Sequence, residues 1–127
     1  MKPLTREWVD KAEGDWHTAT RELRARKSPN YDAACFHAQQ CVEKYLKARL
    51  SEAEVSIPRT HDLVLLLDLI LPDEPLLLIE RAPLGILSES AVELRYPGES
   101  ADKSFAKTNV TTCRRVRVLI RTSLGLH

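Results

Sequence analysis

Four groups of side chains in this sequence have types and spacings that can do chemistry. In the stretch 31–53, a helix turning about 100° per residue would gather His37, Gln40, Lys44, Lys47 and Ser51 into an arc of about 80°. Two ammonium groups, an amide and an imidazole on one surface can hold phosphate oxygens and base edges. The plainer reading of such an arc is a solvated helix face. Against it stand Phe36, an aromatic away from the apolar stripe, and the amide pair Gln39-Gln40 beside a histidine. Phe36 and Glu43, at the flanks of the arc, are therefore assigned to a partner or dimer surface.

The second group is His61, which follows Thr60 where a leucine-rich helix should begin. Free backbone N–H groups and the helix dipole favour anions there and disfavour a protonated imidazole. A neutral His61 can bond a base or a phosphate, or equally serve as a local cap. The third is Arg95-Tyr96-Pro97-Gly98, joining a cation, an aromatic ring and a turn. Arg95 can grip a phosphate with two parallel hydrogen bonds and Tyr96 can stack on a base. Alternatively, Arg95 is a favourable charge at a helix C-terminus and Tyr96 fills the turn.

The fourth group is hidden by the net charge of +1. Residues 103–127 contain six basic and no acidic side chains, so the first 102 residues carry a net −5. Five of the six cations, Lys103, Lys107, Arg114, Arg117 and Arg121, fall within about 80° on a helical wheel. Such a stripe can follow a nucleic-acid backbone or meet an acidic partner protein. It can also be neutralised internally by Glu7, Asp10 or Glu13. The near-neutral total argues against a protein that coats long nucleic acid along its whole surface.

No paired carboxylates at catalytic spacing, glycine-rich phosphate loop or nucleophile elbow appears. Three irregularly placed cysteines, Cys35, Cys41 and Cys113, suit neither a disulfide framework nor a zinc site, and read as reduced core thiols of a cytoplasmic protein. No metal and no cofactor is expected. Lys2 and Arg6 are followed by no apolar run, so no signal peptide is expected, and Leu63–Leu71 is too short to span a membrane.

These residues must be carried by helices, because the periodicity is helical throughout and hairpin signals are nearly absent. Helix one is expected over Thr5–Lys27, with Trp8, Ala12, Trp16, Ala19 and Leu23 as its stripe. Helix two follows over Tyr31–Ala53, capped by Asn30, with a broad apolar face. Thr60 should cap a short third helix ending at Leu71. A fourth, Glu74–Leu94, should kink or break near Pro83 and Gly85. Ser100 or Asp102 caps a fifth over Lys103–Ser123. With 127 residues and no repeat or boundary, the expectation is one all-α domain, residues 1–127, an up-and-down bundle of about five helices.

Several of these pieces together resemble the HEPN family, the higher eukaryote and prokaryote nucleotide-binding helical domains. They are Ala12-x-x-Asp15-x-x-x-Ala19, the block from Tyr31 through Phe36-His37-Ala38-Gln39-Gln40 to Glu43-Lys44 and Lys47, Thr60-His61-Asp62-Leu63, and Arg95-Tyr96-Pro97. The resemblance implies a compact helical bundle from bacteria or archaea, usually a homodimer. It also implies a partner, a minimal nucleotidyltransferase, with which such proteins act as toxin–antitoxin modules. His61, Arg95, Tyr96, Lys44, Lys47, Gln40 and His37 are then the expected contacts to a nucleotide or RNA. Many members are metal-independent ribonucleases whose arginine is followed, after four to six residues, by a histidine. Arg95 matches that arginine, but the corresponding positions hold Ser100, Ala101 and Asp102. The expectation is thus a binding protein, with a toxin ribonuclease using His61 or His37, or a purely structural adaptor, as the alternatives.

Overall fold

The computed structural model describes residues 1–127, and every regular element in it is helical. Helix α1, Pro3–Arg24, starts with proline in its first turn, where the missing N–H has no helical partner to lose. It ends three residues before the expected Lys27, in a turn where Ser28 takes a left-handed φ of 50°. Helix α2, Tyr31–Glu52, begins as the sequence predicts: the Asn30 side chain accepts a hydrogen bond from the Ala33 N–H at 2.9 Å. Ala34, Cys35, Ala38, Cys41 and Ala48 are fully buried. These small side chains let neighbours approach from several directions, and α1, α3, α4 and α5 all pack on α2. It is the axis of the bundle.

Helix α3, Leu63–Ile70, is capped by Asp62 and not by Thr60. The Asp62 carboxylate accepts from the Val64 and Leu65 N–H groups, while the Thr60 hydroxyl accepts from the Asp62 N–H one turn earlier. His61 consequently lies in the turn before the helix, outside its first turn. The expected fourth helix is in fact a 3-10 segment, Pro75–Glu80, followed by α4, Arg81–Glu93. The break falls at Glu80 and not at Pro83 or Gly85. Pro83 is the third residue of α4, where its nitrogen owes no helical hydrogen bond, so the helix runs on through Gly85. Buried Glu80 fastens this junction to the last helix by accepting from Arg115 Nε at 2.9 Å. Helix α5, Lys103–Ser123, has its expected boundaries, with Asp102 accepting from the Phe105 N–H at 2.8 Å.

The core is one continuous cluster contributed by all five α-helices and Leu77 of the 3-10 segment. Cys35, Cys41 and Cys113 are free and buried within it, as expected of core thiols. No helix is long and apolar enough to cross a membrane.

Candidate functional site

The polar arc of α2 does not face solvent. It is turned against α1 and the Thr60–Asp62 turn, where carboxylates claim its cations. Asp15 of α1 accepts from Lys44 Nζ at 2.5 Å and from His37 Nδ1 at 2.8 Å. Glu43 accepts from Lys47 Nζ at 3.1 Å, Gln39 Nε2 at 3.2 Å and His61 Nδ1 at 2.9 Å. The Lys47 ammonium also lies 5.5 Å from the centre of the Trp8 ring. Ser51 is buried against the Thr5 hydroxyl, and Gln40 donates to the Gln39 amide oxygen at 2.8 Å.

Two expectations are corrected here. Glu43 is no partner surface, because its side chain is only 5% exposed and fully occupied by internal donors. Lys44 and Lys47 hold charges already neutralised within the protein, so the phosphate charge expected of them is not free. Burying these cations requires carboxylates beside them, since an unpaired buried ion costs several kcal/mol.

The same carboxylates organise two imidazoles. A carboxylate accepts, so Nδ1 of both His37 and His61 carries the hydrogen, and Nε2 of each has no hydrogen-bond partner within the fold. His61 is 78% exposed in its side chain although its anchor Glu43 is buried. His37 is more enclosed, its ring edge-to-face with Phe36 at 5.2 Å. Phe36 in turn lies under the Arg95 guanidinium, 5.9 Å from the ring centre, so it is a platform for a cation and not the bare aromatic patch expected.

Arg95 sits in the turn that ends α4, exposed, with no carboxylate paired to it. It is the shared wall of two neighbouring depressions. One, about 310 Å³, contains Asn30, Asp32, Phe36 and His37; the other, about 220 Å³, contains Gln39, His61, Asp62 and Ser88. The Ser88 hydroxyl accepts from the Leu63 N–H at 3.2 Å and ties the His61 turn to α4. Of the expected contacts, the structure thus gathers His37, His61 and Arg95. Tyr96 is 63% exposed and lines neither depression.

The basic stripe of α5 divides in two. Its C-terminal half is neutralised inside the fold, and Glu13 alone of the three expected acids does it. Arg117 donates to both Glu13 oxygens at 2.6 and 2.7 Å, Arg121 Nη1 lies 3.6 Å from the same carboxylate, and the Tyr45 hydroxyl donates to it at 2.5 Å. Burial alone would raise the Glu13 pKa, but hydrogen bonds from Arg117 and Tyr45 and the charges of both arginines hold it below the ordinary carboxylate value. Arg117 also stacks over Trp16 at 5.0 Å. The other half, Lys103, Lys107 and Arg114, has no acidic partner. These three line an open cleft of about 600 Å³ together with Arg24, the last residue of α1, and Arg26 of the following turn.

Sequence reasoning missed four participants. Arg24 and Arg26 were absorbed into the tail of helix one, although the run Arg24-x-Arg26-Lys27 without acid was visible. Asp15 was part of a family pattern with no role attached, and Ser88 carries no local signal at all.

Compared with known proteins, residues 5–122 match the family model described as the HEPN domain. No curated protein and no solved structure matches the chain.

Proposed function

The chain belongs to the HEPN domain family, and on that premise we propose that it binds RNA or a nucleotide at Arg95. The observation that carries this reading is an unpaired guanidinium, seated on Phe36, between two imidazoles whose outer nitrogens are free. Arg95 holds the phosphate, and His37 and His61 meet ribose or base groups on either side. The protein is a single-domain, cytoplasmic homodimer and the partner of a minimal nucleotidyltransferase in a prokaryotic toxin–antitoxin module. Reduced core thiols suit that compartment, and Leu76 and Ile79, large apolar side chains in solvent, suit association.

The test is Arg95→Ala with fluorescence anisotropy on a labelled 12-nucleotide RNA and on ATP. A charge-assisted bond to phosphate is worth about 1.5–3 kcal/mol, so affinity should fall about 10- to 150-fold. Unchanged affinity for both ligands would sink the reading. Co-purification of an untagged nucleotidyltransferase encoded beside the chain tests the partner.

The oriented imidazoles favour a second reading, a metal-independent ribonuclease. One neutral Nε2 would take the 2′-hydroxyl proton as that oxygen attacks phosphorus. The bond from phosphorus to the 5′-oxygen then breaks, and the other, protonated imidazole returns a proton to the leaving oxygen. Arg95 would stabilise the charge gathering on phosphorus. RNA left intact by purified protein, with no 2′,3′-cyclic phosphate formed, refutes this reading and leaves binding untouched.

A further inference from the structure

The basic cleft is the one strongly charged cavity that the Arg95 site does not use. It opens between the α1–α2 turn and the first half of α5, and Arg24, Arg26, Lys103, Lys107 and Arg114 surround it with no acidic residue in its lining. The contrast within one helix is informative. Arg115, Arg117 and Arg121 each face a carboxylate of the fold, whereas Lys103, Lys107 and Arg114 face none. Lys103 and Lys107 are four residues apart on one helix, a spacing at which like charges repel. No carboxylate of the fold pairs with either, so an anion entering the cleft meets uncompensated positive charge.

The shape of the cleft says what kind of anion. A second depression of about 350 Å³ lies beside it across α5, with Lys107 and Thr111 in both linings and Arg115, already paired with Glu80, as its other cation. A small polyphosphate would fill only one of these two adjoining depressions. The groove also adjoins the proposed site. Pro29 and Tyr31 line the basic cleft, while Asn30 and Asp32, interleaved with them, line the depression holding His37 and Arg95. The start of α2 is therefore a thin partition between the two. Tyr31 adds an aromatic face beside the cations, the pairing of charge and stacking surface that single-stranded nucleic acid uses.

We propose that this groove holds the flanking phosphodiesters of a single-stranded RNA whose recognised segment lies at Arg95. The inference rests on the proposed binding at Arg95 and narrows its ligand from a nucleotide to a polynucleotide. A trinucleotide reaches only the Arg95 depressions; a longer strand crosses the partition and neutralises the groove.

The experiment uses the full chain and the triple variant Arg24→Gln, Lys103→Gln, Lys107→Gln. All three side chains are exposed and unpaired, so the helical circular dichroism should be unchanged. Anisotropy is measured with a labelled 12-nucleotide RNA and a labelled trinucleotide between 50 and 200 mM KCl. Each neutralised phosphate of a single strand contributes about 0.7 to the slope of log affinity against log salt. The triple variant should therefore lose a slope of about 2 on the 12-mer. Quadrupling the salt would then weaken the native protein about 20-fold more than the variant, with the trinucleotide unaffected. An unchanged slope overturns the proposal. So does inorganic triphosphate displacing the 12-mer at the affinity of the 12-mer itself, which would make the groove a polyphosphate site. Arg95→Ala separates the two readings. If it leaves the trinucleotide affinity intact while the triple variant loses the long strand, the Arg95 reading fails and the groove stands. If the native chain binds ATP but no RNA, the groove proposal falls and the Arg95 reading stands; if it binds neither, both fall.

Discussion

Replacing Glu43 with glutamine tests whether the polar arc of α2 is held inward by charge. Glutamine keeps the size of the side chain but offers only one oxygen and no charge. Lys47, 9% exposed in its side chain, would lose the single carboxylate within reach. Breaking a buried pair from one side costs about 3–5 kcal/mol; the lower figure applies here because the Trp8 ring still faces the ammonium. With an unfolding entropy of about 2.1 cal/mol/K per residue, 3 kcal/mol corresponds to a Tm lower by about 11 °C for 127 residues. Adding Lys47→Met should recover the loss to within about 1 kcal/mol, since an apolar side chain of similar length replaces a buried ion pair at little or no cost. Urea unfolding followed by circular dichroism at neutral pH measures both. If Glu43→Gln alone stays within about 0.5 kcal/mol of the native protein, the pair is not holding the arc, and the argument that Lys47 is withdrawn from ligand binding loses its basis.

The Glu13 carboxyl has a folded pKa below its unfolded one, so its stabilisation is present above the ordinary carboxylate range and is lost as pH falls through the folded value. Glu13→Gln should therefore flatten the acid limb of stability below about pH 5, and an unchanged acid limb by thermal denaturation would contradict it. Cys35, Cys41 and Cys113 have no exposed surface, and burial pushes the Cys41 thiol well above its usual value. A disulfide reagent should label none of them until denaturant is added, and fast labelling of the native chain would contradict the packing. Sedimentation at micromolar concentration should find a dimer; a monomer would refute the proposed association.

The helices were legible because caps and punctuation are local. Asn30 and Asp102 cap where the sequence places them, and Lys103–Ser123 is right at both ends. The errors arise where two local signals compete. Thr60 and Asp62 are both good caps two residues apart, and the carboxylate wins because it reaches two N–H groups at once. Pro83 reads as a breaker only if the helix is assumed to begin at Glu74. Once the 3-10 segment takes up 75–80, the proline falls in a first turn, where it is harmless. The site was half legible. Arg95, His37 and His61 carry their chemistry in their residue type. Which lysines were free to use theirs depended on Asp15 and Glu43 across a helix interface, and helical spacing alone does not contain that information.

The inward turn of α2 also changes what the family pattern is evidence for. Ala34, Cys35, Ala38 and Glu43 in the block that carries the resemblance are buried, as is Lys47, and Lys44 is held by Asp15 from the other matching helix. Those residues serve the packing of the neighbouring elements on α2, so a chain can match them closely and keep the bundle whatever it binds. The groups left facing outward include Arg95, Tyr96, the outer nitrogens of His37 and His61, and the five cations of the groove, and of these the groove cations lie outside the pattern. On the proposed reading, ligand selectivity beyond the family pattern resides in the groove cations of α5 and of the α1–α2 turn. Exchanging Lys103 and Lys107 should change which polyanion binds without changing the fold, whereas any change at Asp15 or Glu43 should alter both together.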